Sequence, residues 1–498
     1  MKTLSSALAW WARMQGDTVA LNVAGDTVTY AAWHDWSNRV AAWLVAEGVT
    51  PGDRVSVCAA NSLSYCVLIM GVLRAGGIVS PMNARFTRPE VAEIVDDVGP
   101  RLIYADAPHL DLVAGLGPRV LDLAEVDRFR KGPAVDGPVD VQPEWPVVII
   151  STSGSTARPK GVVFTHRSMV DYAAEFHLQE PTIGKGARVL AIAPLSTSAG
   201  FVQLMHYATL GCTLYMEPAF EPAAGLELLV REKVNAFGGV PLLFERIAAQ
   251  PAFAAADLSA LQLVTVGGAR VTRALLETWM AKGIVIRQIY GQTECGGNAT
   301  IMPAALAAEA PEKCGWGGPF TTLVTVRPDG SRCDPDEVGE ILIRGPGQML
   351  GYWNNPAATA EALRDGWLHT GDLGVLDARG LLTFVDRMKD IIISGGLNIS
   401  AAEVERAVAE FPGVEEVLVI AAPDPKFAET PMAVLYASAA VDVPALIAHC
   451  NGRLADYKVP RYVVVETEPL PRLATGKLSK PAVRAKYKDQ IADLPRVR

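Results

Sequence analysis

Residues 147–161 read VVIISTSGSTARPKG. The four β-branched residues at the start form the short apolar run of a buried strand. Five hydroxyl side chains follow, with Gly154, Pro159, Lys160 and Gly161. A loop beyond the carboxyl end of a strand is where a parallel α/β sheet takes its ligands. Successive backbone N–H groups, made permissive by glycine and helped by hydroxyls, converge on a phosphate without burying charge, and Lys160 adds a point charge. The stretch is not a Walker loop: Gly154 and Lys160 have the spacing, but Pro159 and Gly161 stand where a second glycine and a Ser/Thr are required.

Outward from this loop the chain keeps the same texture. The runs RVSVCAA (54–60), LQLVTVGG (261–268) and IVIRQIYG (284–291) alternate with helical patterns such as HDWSNRVAAWLVAEG (34–48), which predicts α/β layers with parallel sheets and crossover helices. From about Cys314 shorter strands with turn signals predict a β-rich subdomain. After Arg387 two helical patterns (401–411 and 444–454) and three strand patterns (415–422, 431–438 and 462–466) form a small α+β unit. The expected division is a large domain over 1–386 and a small one over 387–498.

The 498 residues carry a net charge of −9 and a pI near 5.4, with no basic patch for nucleic acid. No apolar run reaches the roughly 18–20 residues of a membrane span, and the first residues lack a signal-peptide layout, so a cytoplasmic protein acting on small molecules is expected. Seven scattered cysteines without a CxxC pair point to reduced thiols, not to a disulfide framework or zinc site.

Six further stretches accompany STSGSTARPKG: GGA (267–269), YGQTE (290–294), EVGEILIRGPGQMLGYW (337–353), WLHTGD (367–372), VDRMKDIIISGGLNIS (385–400) and LPRLATGK (470–477). In kind and order they resemble the adenylate-forming superfamily of acyl-CoA synthetases, peptide-synthetase adenylation domains and beetle luciferases, across nearly the whole chain. The resemblance to its carboxylic acid–CoA ligase branch implies a two-step reaction. A carboxylate attacks the α-phosphorus of ATP, giving an acyl-adenylate and pyrophosphate, and the thiol of CoA then displaces AMP. Such chemistry asks the protein for positioning and charge neutralisation.

The roles implied by that resemblance fall on this sequence as follows. Thr152, Ser153, Gly154, Ser155, Thr156 and Lys160 would hold the β- and γ-phosphates. Thr293 would donate to the α-phosphate and Glu294 would bind Mg2+ through a hard oxygen. Tyr290 and the Gly267-Gly268-Ala269 turn would enclose adenine, with Gly291 beside them. Asp372 would accept from the ribose hydroxyls, assisted by Arg387. Lys477 would neutralise charge at the α-phosphate and incoming carboxylate. Lys389 stands at the position of a hinge about which the small domain turns between the two half-reactions. Gly395 and Gly396 would line the pantetheine tunnel, with Phe427, Arg85 and Arg461 at the CoA nucleotide.

The acyl pocket is expected around Thr197, Gly200, Phe237, Gly238, Val240, Gln292, Cys295 and Asn298. These residues are small or apolar and supply no cation for a second carboxylate, which favours an uncharged hydrophobic monocarboxylic acid, medium-chain, alicyclic or aromatic. PLSTSAG (194–200) has Ser196 and Thr197 where many family members carry aromatics, so a wider or differently gated site is expected. Ala157 and Arg270 likewise replace a usual glycine and proline. The same motifs fit an enzyme loading a separate carrier protein, a luciferase-like oxygenase or a non-catalytic nucleotide binder. Oligomeric state, monomer or homodimer, is left open by the sequence.

Overall fold

A computed structural model describes residues 2–152, 160–269, 271–473, 476–491 and 494–498. The contacts divide the chain into two compact units, Met1–Leu323 with Leu342–His369, and Val324–Ile341 with Thr370–Arg498. Ser153–Pro159 and Arg270, and with them most of the hydroxyl loop, lie outside the described residues.

The larger unit holds two mainly parallel sheets. One runs Gly351–Tyr352, Lys160–Thr165, Pro146–Thr152, Ile78–Met82, Arg54–Cys58, Leu102–Ala105 and Arg119–Asp122, antiparallel in its first two pairings and parallel in the rest. The helix Leu63–Arg74 that connects two of its parallel strands is buried along its whole length, as the unbroken apolar run LSYCVLIMGVL requires. The other sheet has eight strands, with Leu263–Val266 and Arg287–Tyr290 parallel neighbours in register Thr265↔Arg287 and Val266↔Gln288. GGA and YGQTE follow these two strands directly, so the topology brings them side by side at the carboxyl end of the sheet.

An ion pair fixes the second of these strands. The guanidinium of Arg287 is almost wholly buried and takes both carboxylate oxygens of Glu180, at 2.8 and 2.5 Å, while its Nε donates to the carbonyl of Met302 at 2.5 Å. Glu180 caps the carboxyl end of helix α1 (His166–Gln179), so the strand leading into YGQTE is anchored to that helix.

The smaller unit contains a five-stranded sheet covered on both faces. Val419, Ala433 and Leu435 face the helices Ala401–Ala409 and Val443–Asn451, whereas Leu418, Ile420, Met432 and Val434 face the helix Lys480–Tyr487. The period of two is invisible to polarity because both faces are buried. The unit takes in Val324–Ile341 and resumes at Thr370, ahead of the expected boundary at residue 387. Its hairpin pairs Asp372↔Arg387 through Leu376↔Leu382. Buried Asp386 then accepts from the Ser400 hydroxyl at 2.8 Å and from Ala402 N–H at 2.9 Å, tying the hairpin to the first helix of the unit.

Among the described residues no helix is long and apolar enough to cross a membrane. All seven cysteines are free thiols.

Arg287→Ala leaves the Glu180 carboxylate without its buried partner, and a loss of about 3–5 kcal/mol in unfolding free energy is expected. Denaturant titration of the purified variant measures it; an unchanged midpoint would show that the pair is not an anchor.

Candidate active site

The strand Pro146–Thr152 carries Thr152, and the return strand begins at Lys160, with Thr152 Oγ1 donating to the Lys160 carbonyl at 3.2 Å. Lys160 Nζ stands 4.9 Å from the centre of the Tyr352 ring. The Tyr352 hydroxyl donates to Glu294 Oε1 at 2.9 Å. Burial and the neighbouring Glu294 carboxylate push the Tyr352 phenol far above its ordinary value, so it stays a donor. Glu294 Oε2 has no hydrogen-bond partner among the described residues.

Backbone bonds hold this array together. Met349 N–H donates to the Glu294 carbonyl at 2.8 Å, Leu350 N–H to Val163 at 2.8 Å, and Trp353 N–H to Gly161 at 2.7 Å. Sequence reasoning quoted the stretch holding Tyr352 as a family motif without giving the tyrosine a role, since a tyrosine in a short strand reads as packing.

Thr293 and Glu294 lie in a single 3-10 turn closed by Gly296 in the left-handed region at φ +80°. Gly291 is obligatory: a Cβ there would lie 1.7 Å from the Gly297 carbonyl oxygen. Gly267 packs against Ile289 of the neighbouring strand, and Gly268 turns the chain with φ +73°. Tyr290 is buried and its N–H donates to Thr300 Oγ1 at 3.0 Å.

Several residues expected at the acyl pocket have other local roles. Phe237 packs with Phe244 and Trp279 in the core beneath the eight-stranded sheet, at ring-centre distances of 4.7 and 6.5 Å. In AFGG every position lacks polar contrast, so the sequence did not reveal which face the ring takes. Thr197 caps helix α2 (Ser198–Leu210): its hydroxyl donates to the Pro194 carbonyl at 2.8 Å and accepts from Gly200 N–H at 3.2 Å. Gly200 is needed because a Cβ would meet the Pro194 carbonyl at 2.1 Å. The Cys295 thiol donates to the Gln292 carbonyl at 3.1 Å and is pushed up to about 12 by burial, so it is an inert thiol that closes the turn. Asn298 N–H donates to the Tyr172 hydroxyl at 3.2 Å. Gln292 and Val240 are half-buried, and Val240 precedes the helix Pro241–Ala248.

In the smaller unit Asp372 and Arg387 face each other across their hairpin, Oδ1 to Nε 3.7 Å, with Asp372 buried and the arginine exposed. Gly371 precedes the aspartate with φ +66°, a conformation suited to glycine. Lys477 closes a tight loop in which Leu473 N–H donates to its carbonyl at 2.7 Å and Gly476 takes φ +85°. The Lys477 ammonium is held below the ordinary lysine value by partial desolvation and the Arg387 charge, against the opposing pull of Asp372. Lys389 is lowered for the same first two reasons, with Arg484 adding to the effect, so Arg387, Lys389, Lys477 and Arg484 share this region.

Gly395 and Gly396 form the two-residue turn of the hairpin Ile391–Ser394 and Leu397–Ser400, both with positive φ, the geometry of a type I′ turn. A Cβ on Gly395 would sit 3.0 Å from the Phe427 ring, over which Arg461 stands at 4.6 Å and Lys426 at 5.0 Å. The expected grouping of Gly395, Phe427 and Arg461 is thus a local cluster. Arg85, exposed in the larger unit, donates its N–H to Asn83.

Two family models cover the chain: the AMP-binding enzyme over residues 8–353 and the AMP-binding enzyme C-terminal domain over 403–477. The chain belongs to the AMP-binding enzyme family. It is similar to a feruloyl-CoA synthase of Amycolatopsis sp, 36% identical over 96% of this chain and 97% of the other. It is also similar to a long-chain-fatty-acid–CoA ligase of Mycobacterium tuberculosis, 34% identical over 92% and 93%. Among solved structures, the o-succinylbenzoate coenzyme A synthetase of Bacillus subtilis with ATP and magnesium superposes at TM-score 0.88, 28% identical over 97% and 99%. The enzyme is an AMP-forming acyl-CoA synthetase of the adenylate-forming superfamily.

Gly291→Ala places a methyl group against the Gly297 carbonyl, and a destabilisation of about 1–3 kcal/mol with loss of ATP-dependent activity is expected. Thermal denaturation and pyrophosphate release measure the two effects; a variant with wild-type stability would refute the contact.

Proposed function

We propose that the enzyme acts on an uncharged hydrophobic monocarboxylic acid and that the residues above divide the work as follows. The observation that carries the reading is the Lys160–Tyr352–Glu294 array, a cation and a carboxylate kept apart by an aromatic ring at the end of the hydroxyl-bearing strand. Thr152 and Lys160 hold the terminal phosphates of ATP, and Thr293 donates to the α-phosphate. Glu294 suits Mg2+, since one oxygen is oriented by Tyr352 and the other has no partner among the described residues. No three His, Cys, Asp or Glu side chains gather as a metal site among the described residues, so one protein carboxylate with phosphates and water is the fitting coordination. When bound, Mg2+ neutralises phosphate charge and fixes the orientation of the triphosphate.

Asp372, buried beside Arg387, accepts from the ribose hydroxyls. Lys477 offsets the negative charge that builds as the carboxylate oxygen bonds to the α-phosphorus and the bond to pyrophosphate breaks. The acyl carbon is then attacked by the sulfur of CoA, the thiol proton leaves to solvent, and AMP departs. Lys389 serves as the hinge between the two half-reactions, and Gly395, Phe427 and Arg461 meet CoA: the glycine turn admits a thin chain and the ring with its two cations suits an adenine nucleotide.

The test is acid-dependent pyrophosphate release with and without CoA over aliphatic, alicyclic and aromatic acids. Release that CoA accelerates and Lys477→Ala abolishes is expected; release indifferent to CoA would point to a carrier-protein acceptor, and release strongest with a diacid would overturn the substrate class.

Two further outcomes follow from the site. Tyr352→Phe removes the bond that orients Glu294, and a fall of about 10- to 100-fold in Mg2+ affinity or adenylation rate is expected, read from Mg2+ titrations of pyrophosphate release. Lys477 works as a cation, so activity is lost as pH rises through its pKa. Because that pKa is lowered, the alkaline limb of the kcat/KM profile should fall below the ordinary lysine value of about 10.4. Lys477→Arg should move the limb upward, and a limb that ignores the substitution belongs to another group.

A further inference from the structure

The helix Leu4–Met14 packs on the carboxyl end of the buried helix Leu63–Arg74, and a cavity of about 180 Å3 opens where they meet. That is far more than the ~10–15 Å3 a single water needs. Its walls come from three parts of the chain: Thr3, Ser5 and Ser6 at the start of the first helix, Arg74 at the end of the second, and the segment 137–141 ahead of the strand Pro146–Thr152.

Arg74 is 6% exposed, yet it makes no ion pair among the described residues. Its guanidinium has five N–H donors. One donates to Asn38 Oδ1 at 2.6 Å and one reaches the Ser5 carbonyl at 3.5 Å, while Nε has no partner. The Ser5 hydroxyl is likewise buried without a partner among the described residues. Ser5 is also the second residue of its helix, where a backbone N–H has no carbonyl four positions back to meet within the helix. Burial pulls the guanidinium down to about 10, against the opposing effect of Asp35, so it is still a cation at neutral pH. The carboxyl end of its own helix offsets only part of that charge. A buried cation beside unused donors is costly to hold without a counter-ion.

We propose that this cavity binds a small oxyanion, a carboxylate or phosphate group, between Arg74, the Ser5 hydroxyl and the amino end of the helix Leu4–Met14. The planar guanidinium suits either group, and the start of a helix favours negative charge. Asp140, on the third wall, is exposed and accepts from Gln142 Nε2 at 3.2 Å, so it does not pair with Arg74. Its charge works against an extended polyanion such as ATP, which leaves a small anion as the fitting ligand.

Phosphate and acetate are the probes, titrated by calorimetry into the full chain in chloride buffer at fixed ionic strength. A saturating non-hydrolysable ATP analogue keeps the nucleotide site filled. Saturable binding of at least one probe is expected in wild type, weakened about three- to tenfold by Ser5→Ala and at least about tenfold by Arg74→Met. Binding of phosphate alone or of acetate alone assigns the anion class. The Ser5 hydroxyl has no bond to lose, so Ser5→Ala carries the test even where Arg74→Met fails to fold. Absence of saturable binding of both probes, or binding that Ser5→Ala or a folded Arg74→Met leaves unchanged, overturns the proposal. Neither result depends on which acid the enzyme activates.

Discussion

The larger unit depends on a short length of chain, residues 347–353, that ties one parallel sheet to the turn emerging from the other. At one end Met349 N–H reaches the Glu294 carbonyl, and at the other Leu350 and Trp353 bond to the strand that leaves the hydroxyl loop. Such close approach demands absent side chains: a Cβ on Gly347 would lie 2.6 Å from the Cys295 carbonyl, and one on Gly296 would lie 2.7 Å from the Gly347 carbonyl. The Tyr352 hydroxyl completes the tie with a single bond to Glu294. The strand Lys160–Thr165 and the turn at Glu294, drawn from different sheets, are thereby held in one geometry, the condition under which positioning contributes to rate.

The parts of this arrangement that were legible in the sequence are those whose signals are local. VVII before a hydroxyl loop, GGA after LQLVTV and YGQTE after IVIRQI each announce a strand and its carboxyl end, and the neighbouring positions of the latter two follow from parallel pairing. The Gly395-Gly396 turn was legible as a place for small residues, though the structure adds that both need positive φ. What escaped the sequence depends on contacts between distant residues. Tyr352 and Glu294 are 58 positions apart, so no periodicity links them. The inclusion of the hairpin 370–387 in the smaller unit goes with the bonds from Asp386 to Ser400 and Ala402, side-chain contacts that composition does not display. The packing of Phe237 on Phe244 and Trp279 escaped for a different reason: in a strand covered on both faces, hydrophobicity does not say which face a ring takes.

Lys160 and Lys477, the two lysines proposed to meet phosphate, are held in ways that would favour anion binding over self-satisfaction. Lys160 lies over the Tyr352 ring and makes no ion pair among the described residues, although the carboxylate of Glu294 is bonded to the hydroxyl of the same tyrosine. A direct Lys160–Glu294 pair would be easier to form and would quench both charges. The ammonium sits over the face of the ring, and Glu294 Oε2 has no hydrogen-bond partner among the described residues. This arrangement forgoes stability that a pair would supply, a common feature of functional sites.

Lys477 shows the same logic through its proton. Desolvation and Arg387 weaken its hold on the proton, and Asp372 compensates only in part. A phosphate brought to this ammonium adds the missing negative charge and raises the pKa again, so nucleotide binding and protonation of Lys477 reinforce each other. By reciprocity the protonated enzyme binds nucleotide more tightly than the deprotonated one. Arg387 would therefore act twice in the proposed reaction: it stands beside Asp372, and its charge lowers the hold of Lys477 on its proton.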